Sequence, residues 1–301
     1  MPLALLYPAL AFLLAIALVF GAAGLALWRY RRTRTFTRWG RVAVTLAAVG
    51  LACLAEGTWV EPNWPEVTHT TLVTPHLPPK GHVRIVQLSD LHSEAEPRLE
   101  PLLPALVAAQ HPDLIAFTGD AANDATGRPT FRHLMAALAK VAPTFAVKGN
   151  WDVEAPSEEL FGATGVVELV GRPVTLTIHG APVTLNGSPF TFGAGAARAL
   201  EAMPGQGLRV FLYHTPDEID LAPGLADVYL AGHTHGGQVR LPFYGAVVTM
   251  SVFGKQYEAG PYEVGGTRLY VNRGIGMEGH FPLKARFLCR PEVAVIDLVA
   301  S

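Results

Sequence analysis

Asp227-Val-Tyr-Leu-Ala-Gly-His-Thr-His-Gly-Gly-Gln238 is the stretch on which the reading of this chain turns. Val228 to Ala231 is an apolar run of strand length that stops at Gly232, so it reads as a buried strand delivering His233 and His235 at its end. Ligands of open α/β sheets sit outside such strand ends. On a continuing strand, imidazoles one residue apart would face opposite ways. Gly232, Gly236 and Gly237 let the backbone turn, so the pair either converges on one centre or serves two. An isolated His-x-His is ordinarily a turn with two surface histidines, and the other strand ends have to decide.

Those strand ends finish in the same manner. His82 to Leu88 alternates, turns wholly apolar and ends in Ser-Asp90-Leu-His92. A helical pattern over Arg98 to Gln110 leads to a second buried strand, Asp113 to Thr118, ending in Gly119-Asp120. A helix over Phe131 to Val141 leads to a third, Thr144 to Lys148, ending in Gly149-Asn150. The alternation implies parallel strands with right-handed crossovers. Val166 to Leu185 is hairpin-like, with turn signals at Gly171-Arg172-Pro173 and His179-Gly180. A helix near Gly195 to Met203 precedes the strand Arg209 to Tyr213, which ends in His214. Further strands are expected around Gln238 to Leu241, Thr267 to Asn272 and Val293 to Val299. The class is α/β, with one central sheet or two packed sheets and helices outside.

Asp90, His92, Asp120, Asn150, His214, His233 and His235 form a set of oxygen and imidazole donors with no thiolate, suited to divalent ions such as Mn, Fe or Zn. Asp90 and His92 are able to hold one ion, and Asp120 has two oxygens and is able to bridge. Singly, each has a structural explanation as a cap, a turn residue or a surface histidine. Their joint occurrence at consecutive strand ends favours a metal site.

The N-terminus is of a different kind. Leu3 to Trp28 carries no charge, about 39 Å of helix at 1.5 Å per residue, and reads as a transmembrane helix. Arg29 to Arg41 holds six arginines and no acid, which marks the cytoplasmic side and places the N-terminus outside. Val42 to Ala55 is shorter and reaches spanning length only if Glu56 to Val60 lies at the interface with Trp59 as anchor. If it spans, a helical hairpin (1–60) leaves the rest of the chain extracytoplasmic at the cell membrane. The other reading is an interfacial segment with the domain in the cytoplasm. Residues 61–81, with five prolines up to Lys80, read as an extended linker with a strand near Thr68 to Val73, and 82–301 as the folded domain. Beyond residue 60 the chain holds 17 basic and 24 acidic residues, a formal charge of minus 7, the opposite of what tracking a nucleic-acid backbone requires. Cys53 and Cys289 make no disulfide framework.

Ser89-Asp90-Leu91-His92, Gly119-Asp120, Gly149-Asn150, His214 and Gly232-His233-Thr234-His235 occur in the order and approximate spacing of the calcineurin-like metallophosphoesterases. Gly236 to Pro242, Asn272-Arg273-Gly274 and Arg290-Pro291-Glu292 resemble the membrane-associated bacterial branch of that family. The resemblance implies a sandwich of two β-sheets flanked by helices and two metal ions at the sheet edge. By position, Asp90, His92 and His235 would hold the first ion, Asn150, His214 and His233 the second, with Asp120 bridging. Asp120, Asn150 and His233 are the expected catalytic residues. The implied chemistry is a metal-bridging hydroxide as nucleophile, with two cations neutralising phosphoryl oxygens of a phosphate mono- or diester. A membrane tether favours a lipid or lipid-linked substrate.

One position departs from the family. Where it usually has a histidine after Gly-Asn, this chain has Trp151. Tryptophan cannot protonate an alkoxide, so general-acid help, typically about 10²- to 10⁴-fold, must come from elsewhere, with Asp152, His82 and His280 as candidates. Phosphodiesters and activated leaving groups suffer least. Trp151 either offers a flat face to a substrate or packs structurally. Arg273 and Arg240 are candidate phosphate contacts, with a structural or salt-bridged arginine as the commoner case, and Asn123 is expected behind the ligands. The competing function is a catalytically weak binder of metal and a phosphorylated ligand, acting as sensor or scaffold.

Overall fold

The computed structural model describes residues 7–191, 194–278 and 284–301. It begins with two packed helices, α1 (Tyr7–Thr33) and α2 (Arg38–Ala55). Thr37 caps α2 by accepting from the Gly40 N–H at 3.0 Å. The helix does not stop at Ala55. It continues through a π turn (Glu56–Val60) and a 3-10 turn (Glu61–Asn63), so the second apolar helix covers 26 residues. Both helices are therefore long and apolar enough to cross a membrane.

The segment expected to be an extended linker, 61–81, is built into the domain. Its strand β1 (Glu66–Thr74) fits between Pro65 and Pro75 and pairs in parallel along its whole length with the last strand of the chain. Glu61, at its start, is buried and accepts from the Leu288 and Cys289 N–H groups. The prolines flank the strand rather than interrupt it, which an edge strand tolerates.

Next come β2 (His82–Leu88), α3 (Leu103–Ala108), β3 (Leu114–Phe117), α4 (Arg128–Leu138), β4 (Thr144–Ala146), α5 (Ser157–Phe161) and β5 (Val167–Glu168). After them follow β6 (Val174–Ile178), β7 (Ala181–Gly187), α6 (Ala194–Glu201), β8 (Leu208–Leu212) and β9 (Val228–Ala231). A small hairpin of β10 (Arg240–Leu241) and β11 (Gly245–Ala246) precedes β12 (Gly260–Val264), β13 (Thr267–Val271) and β14 (Glu292–Ala300). The expected helix over Arg98 to Gln110 is shorter because Pro104 lacks an N–H and fits only the first turn, so α3 starts at Leu103. Pro129 likewise places the start of α4 three residues before the expected Phe131. α5 and β12 were not foreseen; neither has a long periodic run.

Two six-stranded sheets result, ordered β1-β14-β2-β3-β4-β5 and β12-β13-β9-β8-β7-β6. β2 through β5 are mutually parallel, as are β7, β8, β9 and β13. The apolar strands are buried on both faces, and their alternation divides their side chains between two cores. Val83, Ile85, Leu114, Ala116, Val228 and Leu230 meet between the sheets. Val86, Leu88, Ile115 and Phe117 face Leu103 and Phe131 of α3 and α4, while Tyr229 and Ala231 face Ala196 and Leu200 of α6. Polar ties pin the sheets together at one end: Gln87 donates to the Ala231 carbonyl at 2.9 Å, and Asn272 to the Gln87 carbonyl at 3.2 Å.

Candidate metal centre

Directly above those ties, the ends of β2, β3, β4, β8 and β9 bring the seven expected donors together. Asp90, His92, Asp120 and His235 present ligand atoms within 4.8 Å of one another, and Asp120, His214 and His233 do the same beside them. Asp120 belongs to both groups. Its Oδ2 lies 3.6 Å from His92 Nε2 and 3.1 Å from His214 Nε2. Asn150 Oδ1 is 2.9 Å from His214 Nε2, which adds it to the second group.

The backbone reaches these positions at a cost. Asp90, His92, Asp120, His233 and His235 all have positive φ, between 42° and 70°. For residues with a Cβ that conformation costs roughly 1–2 kcal/mol each, and it turns successive side chains inward instead of alternating them. Glycines make the room. A Cβ on Gly149 would collide with Asp120 Oδ1, and one on Gly119, itself at φ +100°, would collide with the Gly149 backbone and the His214 ring.

Second contacts fix the ring faces. His92 Nδ1 donates to Asn123 Oδ1 at 3.0 Å, which leaves its Nε2 unprotonated and aimed at His235 Nε2, 3.2 Å away. Asn123 thus sits behind the donors as expected. His214 Nδ1 donates to the Thr118 carbonyl at 2.8 Å, directing Nε2 toward Asp120 and Asn150. The Asp90 carboxylate accepts from the His233 N–H at 3.1 Å. Trp151 donates its backbone N–H to Asp120 Oδ1 at 2.9 Å, and its ring meets His92 edge-on at 5.4 Å.

Burial and mutual charge set the protonation states. Burial takes His92 and His233 down to about 4 and His235 well below the usual imidazole value, so all three are neutral at pH 7. Burial also opposes the charge on His214, but Asp120 beside it wins and raises the ring to about 10. In return, although burial works to raise Asp120, His214 holds that carboxyl well below the ordinary range. Asp90, whose neighbours are the His233 N–H and a neutral His235 ring at 3.5 Å, is pushed up to about 7 by burial. Neutral imidazoles facing one another across 3.2 Å and a buried carboxyl short of positive charge fit a divalent cation.

Several expectations are corrected. Asp152 cannot act as a proton donor to substrate, because its carboxylate is the framework of the site: it accepts from the N–H groups of Asp120 (2.8 Å), Ala121 (2.9 Å) and Gly149 (2.9 Å). His82 starts β2, so it lies at the far end of the strand, hydrogen-bonded to Asp297 at 2.8 Å. There it forms a separate group with Asp113 and His179, part-buried to exposed. His280 lies outside the described residues. Of the two readings open for Arg273 and Arg240, phosphate contact or salt bridge, the contacts are those of the salt bridge: Arg273 is engaged by Glu66 at 2.8 Å and Glu292 at 3.4 Å, and Arg240 by Glu258 at 2.9 Å. Both guanidiniums are committed to carboxylates of the chain itself.

One residue near the site was not foreseen. Arg286 is fully buried, donates to the carbonyls of Gly276, Arg273 and Cys289, and brings Nη2 to 3.5 Å from His235 Nδ1. Its charge helps keep the His235 ring neutral. No local pattern flags it, since its partners are backbone carbonyls and its burial is a tertiary fact.

Two stacked, mostly parallel sheets with imidazole and carboxylate donors converging at their strand ends define a metal-dependent α/β protein. Residues 83–237 match the family model described as calcineurin-like phosphoesterase, and the chain belongs to that family. It is a metal-dependent phosphoesterase, a hydrolase acting on phosphorylated substrates. The chain is 32% identical over 263 residues to the uncharacterized metallophosphoesterase YkuE of Bacillus subtilis strain 168, covering 81% of this chain and 88% of that protein. It is also 32% identical over 228 residues to the phosphodiesterase YaeI of Escherichia coli K12, covering 72% and 82%. Among solved structures, TT1561 of Thermus thermophilus aligns with 65% of this chain and 92% of its own, at 13% identity and a TM-score of 0.44.

Proposed function

We propose that this chain is a membrane-anchored, binuclear metallophosphoesterase that hydrolyses phosphodiesters, or monoesters with good leaving groups. The observation that carries the reading is the sharing of Asp120 by two donor groups, with His92 on one side of its Oδ2 and His214 on the other. Asp90, His92 and His235 would hold one ion, and Asn150, His214 and His233 the other, with Asp120 between. Mn, Fe and Zn all suit this donor set. When bound, such ions supply Lewis acidity toward phosphoryl oxygens and lower the pKa of water.

The chain's own groups have distinct tasks. Asn123 and the Thr118 carbonyl hold His92 and His214 in the tautomer and orientation that present Nε2. Asp152 holds the turn that carries Asp120. His233, Asn150 and Trp151 are the partly exposed members, so they form the face that substrate meets. Because the Trp151 indole cannot protonate an alkoxide and Asp152 is committed to the backbone, the leaving group departs with little help from a side-chain acid, which favours diesters.

The apolar helices support anchoring. The arginines between them support a cytoplasmic loop with the catalytic domain outside the cytoplasm, in reach of lipid or lipid-linked phosphoesters. The deciding experiment is turnover of bis-p-nitrophenyl phosphate by the full chain in detergent, before and after chelation and with Mn²⁺ restored, beside metal analysis. Two ions per chain with turnover that follows them supports the reading. Two ions without turnover would favour the alternative of a metal- and phosphate-binding sensor, for which the family's histidine replaced by Trp151 is the motive.

A further inference from the structure

Beyond the helical pair, every strongly exposed aromatic among the described residues lies on one edge of the molecule: Trp64, Phe243 and Tyr244. Phe243 is the extreme case, fully exposed at the tip between β10 and β11 with φ at +65°. A left-handed backbone costs a bulky residue roughly 1–2 kcal/mol, and here it directs the ring away from the protein. Nothing inside the domain is gained by this.

Hydrogen bonds place that tip beside the end of α2. The Gly57 carbonyl accepts from the Arg286 N–H at 2.8 Å, Phe287 donates to the Gln238 carbonyl at 2.8 Å, and Arg240 donates back to the Phe287 carbonyl at 2.9 Å. β10 is therefore two hydrogen-bonded chain spacings from the second apolar helix, roughly 10 Å. Leu288, also exposed, lies in the connecting segment and is tied to Glu61 at 2.7 Å. Two of the aromatics carry cations over their rings: Lys255 over Tyr244 at 3.4 Å and Arg290 over Trp64 at 4.1 Å. Aromatic rings with basic partners, next to the end of a membrane-length helix, are the composition of a bilayer interface.

We infer that the β10–β11 tip, with Phe243 leading and Tyr244, Trp64 and Leu288 beside it, seats the catalytic domain on the bilayer crossed by the helical pair. The inference rests on the anchoring proposed above and deepens it. The domain is then fixed at headgroup level rather than swinging on a tether. The His235–Gly237 turn runs directly into β10, so the proposed metal centre is held close to that surface.

The test uses the full chain in phosphatidylethanolamine and phosphatidylglycerol bilayers, with Cys53→Ala and Cys289→Ser removing the native thiols. A nitroxide is attached at Phe243→Cys or, as control, at exposed Val170→Cys, and its collisions with oxygen and with an aqueous nickel chelate are measured. The expected result is a label at 243 shielded from the chelate and exposed to oxygen, with the reverse at 170. Equal chelate access at both positions overturns the seating. Spin–spin broadening between 243 labels in discs holding two copies overturns it in favour of a second copy as occupant. Anchoring fails separately, if an alkaline carbonate wash releases the chain from vesicles. Phe243→Asp should leave bis-p-nitrophenyl phosphate turnover in detergent within about twofold, because the ring does not touch the site.

Discussion

The two sheets contribute unlike halves of the proposed site. The ends of β2, β3 and β4 in the first sheet supply every oxygen donor, Asp90, Asp120 and Asn150, together with one imidazole, His92. The ends of β8 and β9 in the second sheet supply imidazoles alone, His214, His233 and His235. Neither sheet completes a group, since His235 joins three residues of the first sheet and Asp120 joins two histidines of the second. The acidic end needs cations and the basic end is neutral except at His214. Ions at this junction would therefore both satisfy the charge and fasten one sheet to the other.

That asymmetry can be tested most severely at Asp120, the residue both groups share. Asp120→Ala should cost about 10³-fold or more in kcat/KM, several kcal/mol of transition-state stabilisation at about 1.36 kcal/mol per decade, and metal analysis should find both ions lost. One ion retained at full occupancy would show that the two groups are independent.

Removal of metal probes the fastening directly. Two sites filled at about 100 times Kd contribute about 5 kcal/mol, so chelation should lower the thermal midpoint of the catalytic domain by about 10 °C. In Asp120→Ala the added metal should no longer raise it. An unchanged midpoint in the parent protein would mean that the sheets hold each other without ions.

Trp151→His asks whether the first sheet lacks only an acid. Turnover of a monoester with a poor leaving group, such as phenyl phosphate, should rise by about 10²-fold, the low end of general-acid assistance, while bis-p-nitrophenyl phosphate, whose leaving group needs little protonation, gains less. No gain on either substrate would show that the Trp151 ring against His92 matters more than the missing proton.

The smallest effect is expected behind the ligands. Asn123→Ala frees His92 Nδ1 and should weaken metal affinity by about 10- to 100-fold with kcat at saturating metal nearly restored. A loss that saturating metal leaves uncorrected would instead place Asn123 in contact with substrate.

Much of this was legible in the sequence because strand periodicity and strand-end residues are local. Val228 to Ala231 and Leu114 to Phe117 announce buried strands by composition alone, and the donors follow at fixed short distances. The helix starts were missed by a few residues where Pro104 and Pro129 set the first turn. Whether Arg273 and Arg240 would meet phosphate or a carboxylate of the chain stayed open in the sequence, because an arginine's partner is chosen across the fold: Glu66 is 207 positions from Arg273. Asp152 was misjudged for the same kind of reason, since its backbone partners at Asp120 and Ala121 come together only when β3 and β4 pair.

By itself, then, the sequence determined most of the longer elements, which donors stand at their ends, and that two apolar stretches precede the domain, all of which depend on neighbours within a turn or a strand. The tertiary structure alone decided that Asp120 is shared, that five donors sit in left-handed conformations, that residues 66–74 belong to the sheet, and that the β10–β11 tip carrying Phe243 lies near the end of the second apolar helix. These depend on contacts between residues far apart in the chain, whose distances and charges become defined only when the two sheets close on each other.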